Sequence, residues 1–311
     1  MKIMSMADVH GDFEIFDKAL ETVKKSGAEV LTINGDLNGN VLKEEEKEEF
    51  RRAHSLVLDA TKQLYEVLRL NGQSGNTINC CNTAKMTLSG QPYFAGADGN
   101  ARKYAEIYLQ RGDEIKERIR ENYEKFSEKL GRLEQKVFIV PGNWDASFID
   151  DTLARYNLHM KFPEKTGSFS FAGYGGAREV PLDIPNESAV PFNLEAGFDH
   201  LSGKEAEILV VHTPPLKFEG SSLRNGDPYL LAHIYRSQPD LILCGHTHRG
   251  YVIREPDTGT FIVNPGLLGR YNNEPFGRFI EINVDEEGVH PITAYDLSRG
   301  NSYDIKNAIT Q

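Results

Sequence analysis

An α/β layered fold is what this chain predicts, on three observations. Five short apolar runs (2–7, 29–33, 136–140, 208–211 and 241–244) carry continuous Val, Ile, Leu and Met character without strict alternation. Strands of a sheet covered on both faces look like this. Amphipathic stretches lie between several of the runs, and strands alternating with helices build layered architectures. Each run also ends in a turn rich in Gly, Asp, Asn or His; in an open α/β sheet, ligands collect at the carboxyl ends of the strands.

The elements follow in order. Residues 2–7 give a strand. Phe13–Lys25 gives a helix, with Phe13, Phe16, Ala19, Leu20 and Val23 on one face; Asp12 is placed either to cap it or to orient His10. Residues 29–33 give the next strand. From about residue 41 to residue 135 the pattern changes. Lys43–Leu70 opens on Glu44, Glu45 and Glu46, which favour a helix N-terminus, and continues with Phe50, Val57, Leu64 and Leu68 at helical spacing. Asn100–Leu133 repeats that spacing with Tyr104, Ile107, Tyr108, Ile115, Ile119, Tyr123, Phe126 and Leu130. Between the two, Asn71–Gly99 is dense in Gly, Asn, Ser and Thr and predicts a long loop. The expected organisation is therefore a core from residues 1–40 and 136–295, a helical-hairpin insertion or cap at 41–135, and a C-terminal tail at 296–311. Ser147-Phe148-Ile149-Asp150 fits a capping box. Mixed charges on the second insertion helix, such as Glu121 against Lys125, read as a solvated face.

Composition narrows the function classes. The chain has 311 residues, 39% hydrophobic and 26% charged, enough to bury a large core without covalent staples. No run of about 18 apolar residues exists to span a bilayer. The formal charge of −11 disfavours nucleic-acid binding, which needs many Lys and Arg contacts to phosphate. The three cysteines, Cys80, Cys81 and Cys244, are odd in number and lack metal spacing, so free thiols in a reducing compartment are expected. Lys2–Ala7 is too short for the apolar region of a secretory leader. A cytoplasmic protein is the expectation.

The chemistry sits in the five turns: Asp8-Val9-His10-Gly11-Asp12, Gly35-Asp36-Leu37-Asn38, Pro141-Gly142-Asn143-Trp144-Asp145, His212-Thr213-Pro214-Pro215 and Gly245-His246-Thr247-His248. If their strands are neighbours, the turns bring Asp8, His10, Asp36, Asn143, His212, His246 and His248 to one crevice. Imidazoles suit zinc, iron and nickel, while carboxylate and amide oxygens keep manganese in play. One carboxylate must bridge two ions about 3.5–4 Å apart in a two-metal hydrolytic site. Asp36, midway among the turns, is the best bridge. His246 and His248, two apart, would point the same way on an extended segment. An Asp-x-His pair alone is weak, and Gly-Asp or Gly-Asn at a strand end is ordinary turn chemistry. The set of five, in one order, is what carries information.

That set, Asp-x-His, Gly-Asp, Gly-Asn, His, Gly-His-x-His, resembles the calcineurin-like metallophosphoesterase superfamily. Val263-Asn264-Pro265-Gly266 and Gly173-Tyr174-Gly175-Gly176 are similar to segments of its small prokaryotic phosphodiesterase branch. The resemblance covers roughly 1–40 and 136–285. It implies a four-layer αββα sandwich and two divalent transition-metal ions, manganese first, with iron, nickel or zinc as alternatives. One ion would take Asp8, His10, Asp36 and His248; the other Asp36, Asn143, His212 and His246. A metal-bridging hydroxide would attack phosphorus in line, with charge neutralised on the non-bridging oxygens.

The family usually follows its ligand Asn with His, which contacts the phosphate or protonates the leaving oxygen; here that position is Trp144. General-acid help contributes about 10²–10⁴-fold, and its loss hurts most where the leaving alkoxide is basic. A small phosphodiester or nucleotide-type substrate is therefore expected ahead of an unactivated monoester. The indole could instead stack on a ring of the substrate or pack within the fold. Arg224, Arg249 and Arg270 lie near the turns and are either phosphate contacts or surface charge. His54, His159, His200, His233 and His290 receive no role, and Cys244 reads as a buried strand residue. Two other readings stand beside the enzyme: a scaffold on this fold without turnover, as in the retromer's phosphoesterase-like subunit, and a nuclease, against which the acidic balance counts.

Overall fold

The computed structural model describes residues 1–39, 41–70, 79–90, 99–202, 206–217, 226–271 and 274–304. Its helices are α1 (Phe13–Ser26), α2 (Glu44–Leu70), α3 (Cys80–Ser89), α4 (Gly99–Leu130), α5 (Asp150–Leu153), α6 (Leu194–Ser202) and α7 (Pro228–Ser237). Its strands are β1 (Lys2–Met6), β2 (Val30–Asn34), β3 (Lys136–Val140), β4 (Glu164–Thr166), β5 (Phe169–Tyr174), β6 (Ile208–Val211), β7 (Leu241–Leu243), β8 (Tyr251–Arg254), β9 (Phe261–Asn264), β10 (Arg270–Tyr271), β11 (Glu274–Pro275), β12 (Arg278–Asp285), β13 (Gly288–Asp296) and β14 (Asn301–Asp304).

The strands form two six-stranded sheets, ordered β14-β13-β12-β1-β2-β3 and β4-β5-β6-β7-β9-β8, and a short ribbon of β10 and β11. In each sheet the strands that carry candidate residues run parallel: β1 with β2 and β2 with β3, and β6 with β7. The sheets share one core. Ile3, Val30, Phe138 and Val140 of the first meet Phe171, Ile208, Val210, Leu241, Leu243 and Val263 of the second. The alternate residues of the first sheet, Met4, Met6, Leu31, Ile33, Val137 and Ile139, are also buried, as the period-2 pleat requires when both faces are covered. On that side α1 buries Ile15, Phe16, Ala19, Leu20 and Val23, and Phe16 meets Phe126 of α4 edge-on at 5.0 Å. The far face of the second sheet buries Leu209, Val211, Ile242 and Ile262 against Leu201 of α6 and Leu230 and Ile234 of α7. This is the four-layer αββα sandwich.

By contacts the chain divides into two units, one of residues 1–39, 122–179 and 190–311, the other of residues 40–121 and 180–189. The second unit differs from the expected 41–135 boundary in two places: the last turns of α4 belong to the first unit, and a later segment joins the second. That segment is held by side chains of α2 and α4. Arg51 makes two hydrogen bonds to Asp183, at 2.6 and 2.7 Å, Tyr108 donates to Glu187 at 2.6 Å, and Lys116 pairs with Glu187 at 3.3 Å.

Three local expectations need correction. The stretch 71–99, expected as a loop, contains α3; residues 71–78 and 91–98 lie outside the described residues. Asn79 caps α3 by accepting from the Asn82 amide at 2.8 Å, and Gly90 closes it in the left-handed conformation. Those two residues are helix punctuation rather than loop filler. The tail contains β14, paired with β13 from Thr293–Asp304 to Asp296–Asn301. No capping box forms at Ser147, since the short helical turns there have no side-chain cap; Asp150 instead accepts from Asn157 at 3.0 Å.

Candidate metal centre

The five turns do not end neighbouring strands of one sheet. Three follow β1, β2 and β3 in the first sheet, and two follow β6 and β7 in the second, so the crevice is built where the carboxyl ends of both sheets meet. Backbone hydrogen bonds stitch the turns together. Asp8, His10 and Gly11 donate to the carbonyls of Gly35, Asp36 and Leu37 at 3.0, 2.9 and 2.8 Å, and Gly245 donates to His212 O at 3.0 Å. The first turn thus continues the β1–β2 ladder past the strand ends.

Conformation singles out the same residues. Among the described residues, eight other than glycine have positive φ, and five of them are Asp8, His10, Asp36, His246 and His248. A left-handed residue with a side chain costs roughly 1–2 kcal/mol, and such strain gathers at functional sites. His246 (φ 69°) and His248 (φ 58°) are therefore not two apart on an extended strand; each is turned by its own backbone into the crevice.

All seven candidate side chains come together. Ligand atoms of Asp8, His10, Asp36 and His248 lie within 4.8 Å of one another. Nε2 of His10 is 3.0 Å from Nε2 of His248 and 3.9 Å from Asp36 Oδ2; His248 Nε2 is 3.6 Å from Asp8 Oδ1. On the other side of Asp36, His212 Nε2 stands 3.5 Å from its Oδ2. Asn143 Oδ1 lies 3.0 Å from His212 Nε2 and 3.1 Å from His246 Nδ1. Among the described residues, Asp36 is the carboxylate that approaches both His10 and His212.

Burial and the closeness of like groups set the electrostatics. Burial, and then the neighbouring His248, pushes His10 down to about 3. The same two causes push His246 down to about 4. Burial, with His246 second, lowers His212, and burial lowers His248. All four imidazoles are held below the ordinary histidine value, toward the neutral form that can ligate a metal. Burial raises Asp8; burial, then the charges of Asp8 and Asp145, raises Asp36. Asp8 Oδ2 is buried with no hydrogen-bond partner among the described residues. His212 donates Nδ1–H to the Asn34 carbonyl at 2.8 Å, so its Nε2 lone pair faces the oxygens of Asn143 and Asp36. Converging lone pairs and an orphaned carboxylate oxygen repel one another unless a cation lies between them. The residues present fit a divalent ion on each side of Asp36.

Asp145 is functional support that sequence reasoning passed over. Its buried carboxylate accepts from the Gly142 amide at 2.8 Å, Leu37 at 3.2 Å and Asn38 at 3.1 Å, locking the turn of Asp36 to the turn of Asn143. His159 is another. Its Nδ1 accepts from Gly175 N at 2.9 Å, and Gly176 N donates to Pro141 O at 2.7 Å, bracing the Asn143 turn from β5. A signal for the first existed, an Asp two residues beyond Asn143; none existed for the second. Asp12 caps α1, accepting from Ile15 N at 3.1 Å. Arg270 pairs with Asp12 at 2.7 Å and Glu14 at 3.2 Å, so it is a surface ion pair. Arg249 is exposed, and Arg224 lies outside the described residues. Trp144 is half-buried, its ring perpendicular to His10 at 5.9 Å. Cys244 is buried, as expected, and all three cysteines are free.

Comparison with known proteins agrees with this geometry. An uncharacterized protein of Methanocaldococcus jannaschii is 26% identical over 149 residues, 44% of this chain and 68% of the relative. Two crystal structures share the fold over 97% of each chain, one with a TM-score of 0.52 at 18% identity. The other, TT1561 of Thermus thermophilus, has a TM-score of 0.51 at 14% identity. The sequence profile of the calcineurin-like phosphoesterases matches residues 94–250, just over half the chain. That stretch includes Asn143, His212, His246 and His248, and the structure adds Asp8, His10 and Asp36 beside them. The chain belongs to the calcineurin-like phosphoesterase family.

Proposed function

We propose that this protein is a two-metal phosphodiesterase of the small prokaryotic branch, acting in the cytoplasm on a small phosphodiester or nucleotide-type substrate. The observation that carries the reading is the gathering of Asp8, His10, Asp36 and His248 within 4.8 Å, with Asn143, His212 and His246 on the other side of Asp36. Asp8, His10, Asp36 and His248 would hold one divalent ion; Asp36, Asn143, His212 and His246 the other. Two ions held there would supply Lewis acidity, lowering the pKa of water and offsetting charge on the phosphoryl oxygens. The mixed oxygen and imidazole set suits manganese first, with iron, nickel and zinc as alternatives.

The chain's own residues do the rest. His212 is fixed in one tautomer by Asn34 O. The Trp144 amide donates to Asp36 Oδ1 at 2.8 Å, leaving Oδ2 toward the imidazoles. Water adds to phosphorus, the bond to the leaving oxygen breaks, and a monoester and an alcohol result. The indole of Trp144 is a donor only and gives no proton to the departing oxygen. Leaving groups that depart as stable anions are favoured on that ground, and a phosphodiester with such a group is preferred over an unactivated monoester.

Reconstitution with each metal, followed by rates on cyclic nucleotides, glycerophosphodiesters, nucleotide pyrophosphates, aryl diesters and aryl monoesters, tests the proposal. About two ions per chain and a faster diester than monoester rate are expected. Ions bound without turnover of any ester would leave the scaffold reading, which only Trp144 favours, in its place.

A further inference from the structure

The only tryptophan in the chain stands beside His10 and Asp36 of this site, and its surroundings suit a ligand ring. Its backbone is fastened, with the amide on Asp36 Oδ1 at 2.8 Å. Its ring is oriented by His10, perpendicular at 87° with centroids 5.9 Å apart. A perpendicular neighbour meets an indole at one face or one edge only. The side chain is half-buried, and its indole N–H has no hydrogen-bond partner among the described residues. A large amphipathic ring thus stands partly exposed next to His10, on a backbone tied to Asp36. Such a surface gains when a flat ring lies on it, through burial and through the offset or edge geometry that aromatic pairs prefer.

Resting on the two-metal reading above, we infer that Trp144 is a stacking platform for the substrate, and that the site takes phosphodiesters carrying an aromatic ring close to phosphorus, in an aryl or nucleoside group. The ring selects; it moves no proton. Its contribution is therefore made in substrate binding and appears in KM rather than in kcat. Loss of an aromatic pair of this kind corresponds to roughly two- to tenfold in affinity.

The test uses the full chain loaded with zinc, which does not quench indole emission. Methyl phenyl phosphate and methyl hexafluoroisopropyl phosphate have leaving groups of similar acidity, one with a ring and one without; methyl adenosine 5′-phosphate supplies the nucleoside arm. We expect KM for at least one ring-bearing ester to be about five- to tenfold below that of the ring-free ester. W144F should keep most of that preference, and W144L should erase it, with melting temperature checking that both variants fold. Emission, which comes from this single tryptophan, should change saturably with phenyl phosphate or adenosine monophosphate and stay unchanged with glycerol phosphate. Preference for the phenyl arm alone or the adenosine arm alone identifies which ring source the platform serves. The inference is overturned if W144L keeps the preference, if emission ignores both ring-bearing ligands at saturation, or if W144F falls as far as W144L, which would make the N–H rather than the ring the contact. Failure of zinc to bind, with no ester cleaved, would instead strike the two-metal reading itself.

Discussion

Tyr123 donates to Oδ1 of Asp145 at 3.3 Å, and it also accepts from the Ala146 amide at 2.7 Å. One phenol on α4 therefore holds the carboxylate that locks the turn of Asp36 to the turn of Asn143. Both groups are buried, so neither can find water in exchange. Partners behind metal ligands set ligand orientation and typically change affinity by about 10- to 100-fold when removed.

Tyr123→Phe keeps the ring and removes the oxygen, leaving the Ala146 amide buried without an acceptor. A loss of about 1–3 kcal/mol is expected, together with about tenfold weaker metal binding. Denaturant unfolding and metal titration measure the two. A destabilised protein that binds metal as tightly as before would reduce Tyr123 to a structural residue.

Asp36→Asn separates stability from function. Asp36 is held above its ordinary carboxylate range by burial and then by the charges of Asp8 and Asp145. Removing that charge relieves repulsion in the metal-free protein, while the amide oxygen can still accept from Trp144. The metal-free melting temperature should rise by about 2 °C or more, and the further rise on adding manganese should vanish together with activity. A variant that still gains stability from manganese would show that Asp36 does not join the two sides.

His159 gives a pH dependence whose sign follows from its environment. Burial, with His200 and Lys161 adding to it, holds its folded value down to about 4 against an ordinary 6.5. Between those values the unfolded chain binds the proton and the folded one does not. Stability from this residue is thus complete above pH 6.5 and is lost as pH falls toward 4, by about 3 kcal/mol at most. His159→Gln should flatten the fall in stability between pH 6.5 and 4 measured by urea unfolding at fixed ionic strength. An unchanged slope would mean that other groups carry the loss.

The seven candidate residues are legible in sequence because each lies within a few residues of a strand end, where an Asp, Asn or His stands beside Gly or, after β6, just before a Pro pair. The αββα layering is legible less directly, since short buried strands look alike and nothing local says which sheet they join. Whether the five strands are neighbours therefore stays open in the sequence, and the turns after β6 and β7 arrive from a second sheet. Helix α3 is hidden by its own composition: Cys80, Thr83, Ala84 and Thr87 form its buried face, a weak apolar signal between Asn- and Gly-rich flanks. His159 is silent for another reason. Its partner, the Gly175 amide, is backbone, and no side-chain motif records a backbone contact.

Gly142 tests how closely the turns must pack. A Cβ there would stand 2.0 Å from Asp36 Oδ1 and 2.3 Å from Asp36 N, a clash with a buried carboxylate and its backbone that no rotamer relieves. Gly142→Ala must therefore push the Asp36 and Asn143 turns apart, and a displacement of about 1 Å can cost on the order of 10²-fold in rate. Gly167→Ala is the control: its φ is +60°, but its Cβ would meet nothing within 4 Å, so it should cost about 1 kcal/mol of backbone strain and leave metal binding alone. Melting curves with and without manganese distinguish them. Gly142→Ala is expected to lose the manganese-induced shift and Gly167→Ala to keep it; equal shifts in both would mean that the two turns tolerate separation and that the spacing about Asp36 is not what the metals require.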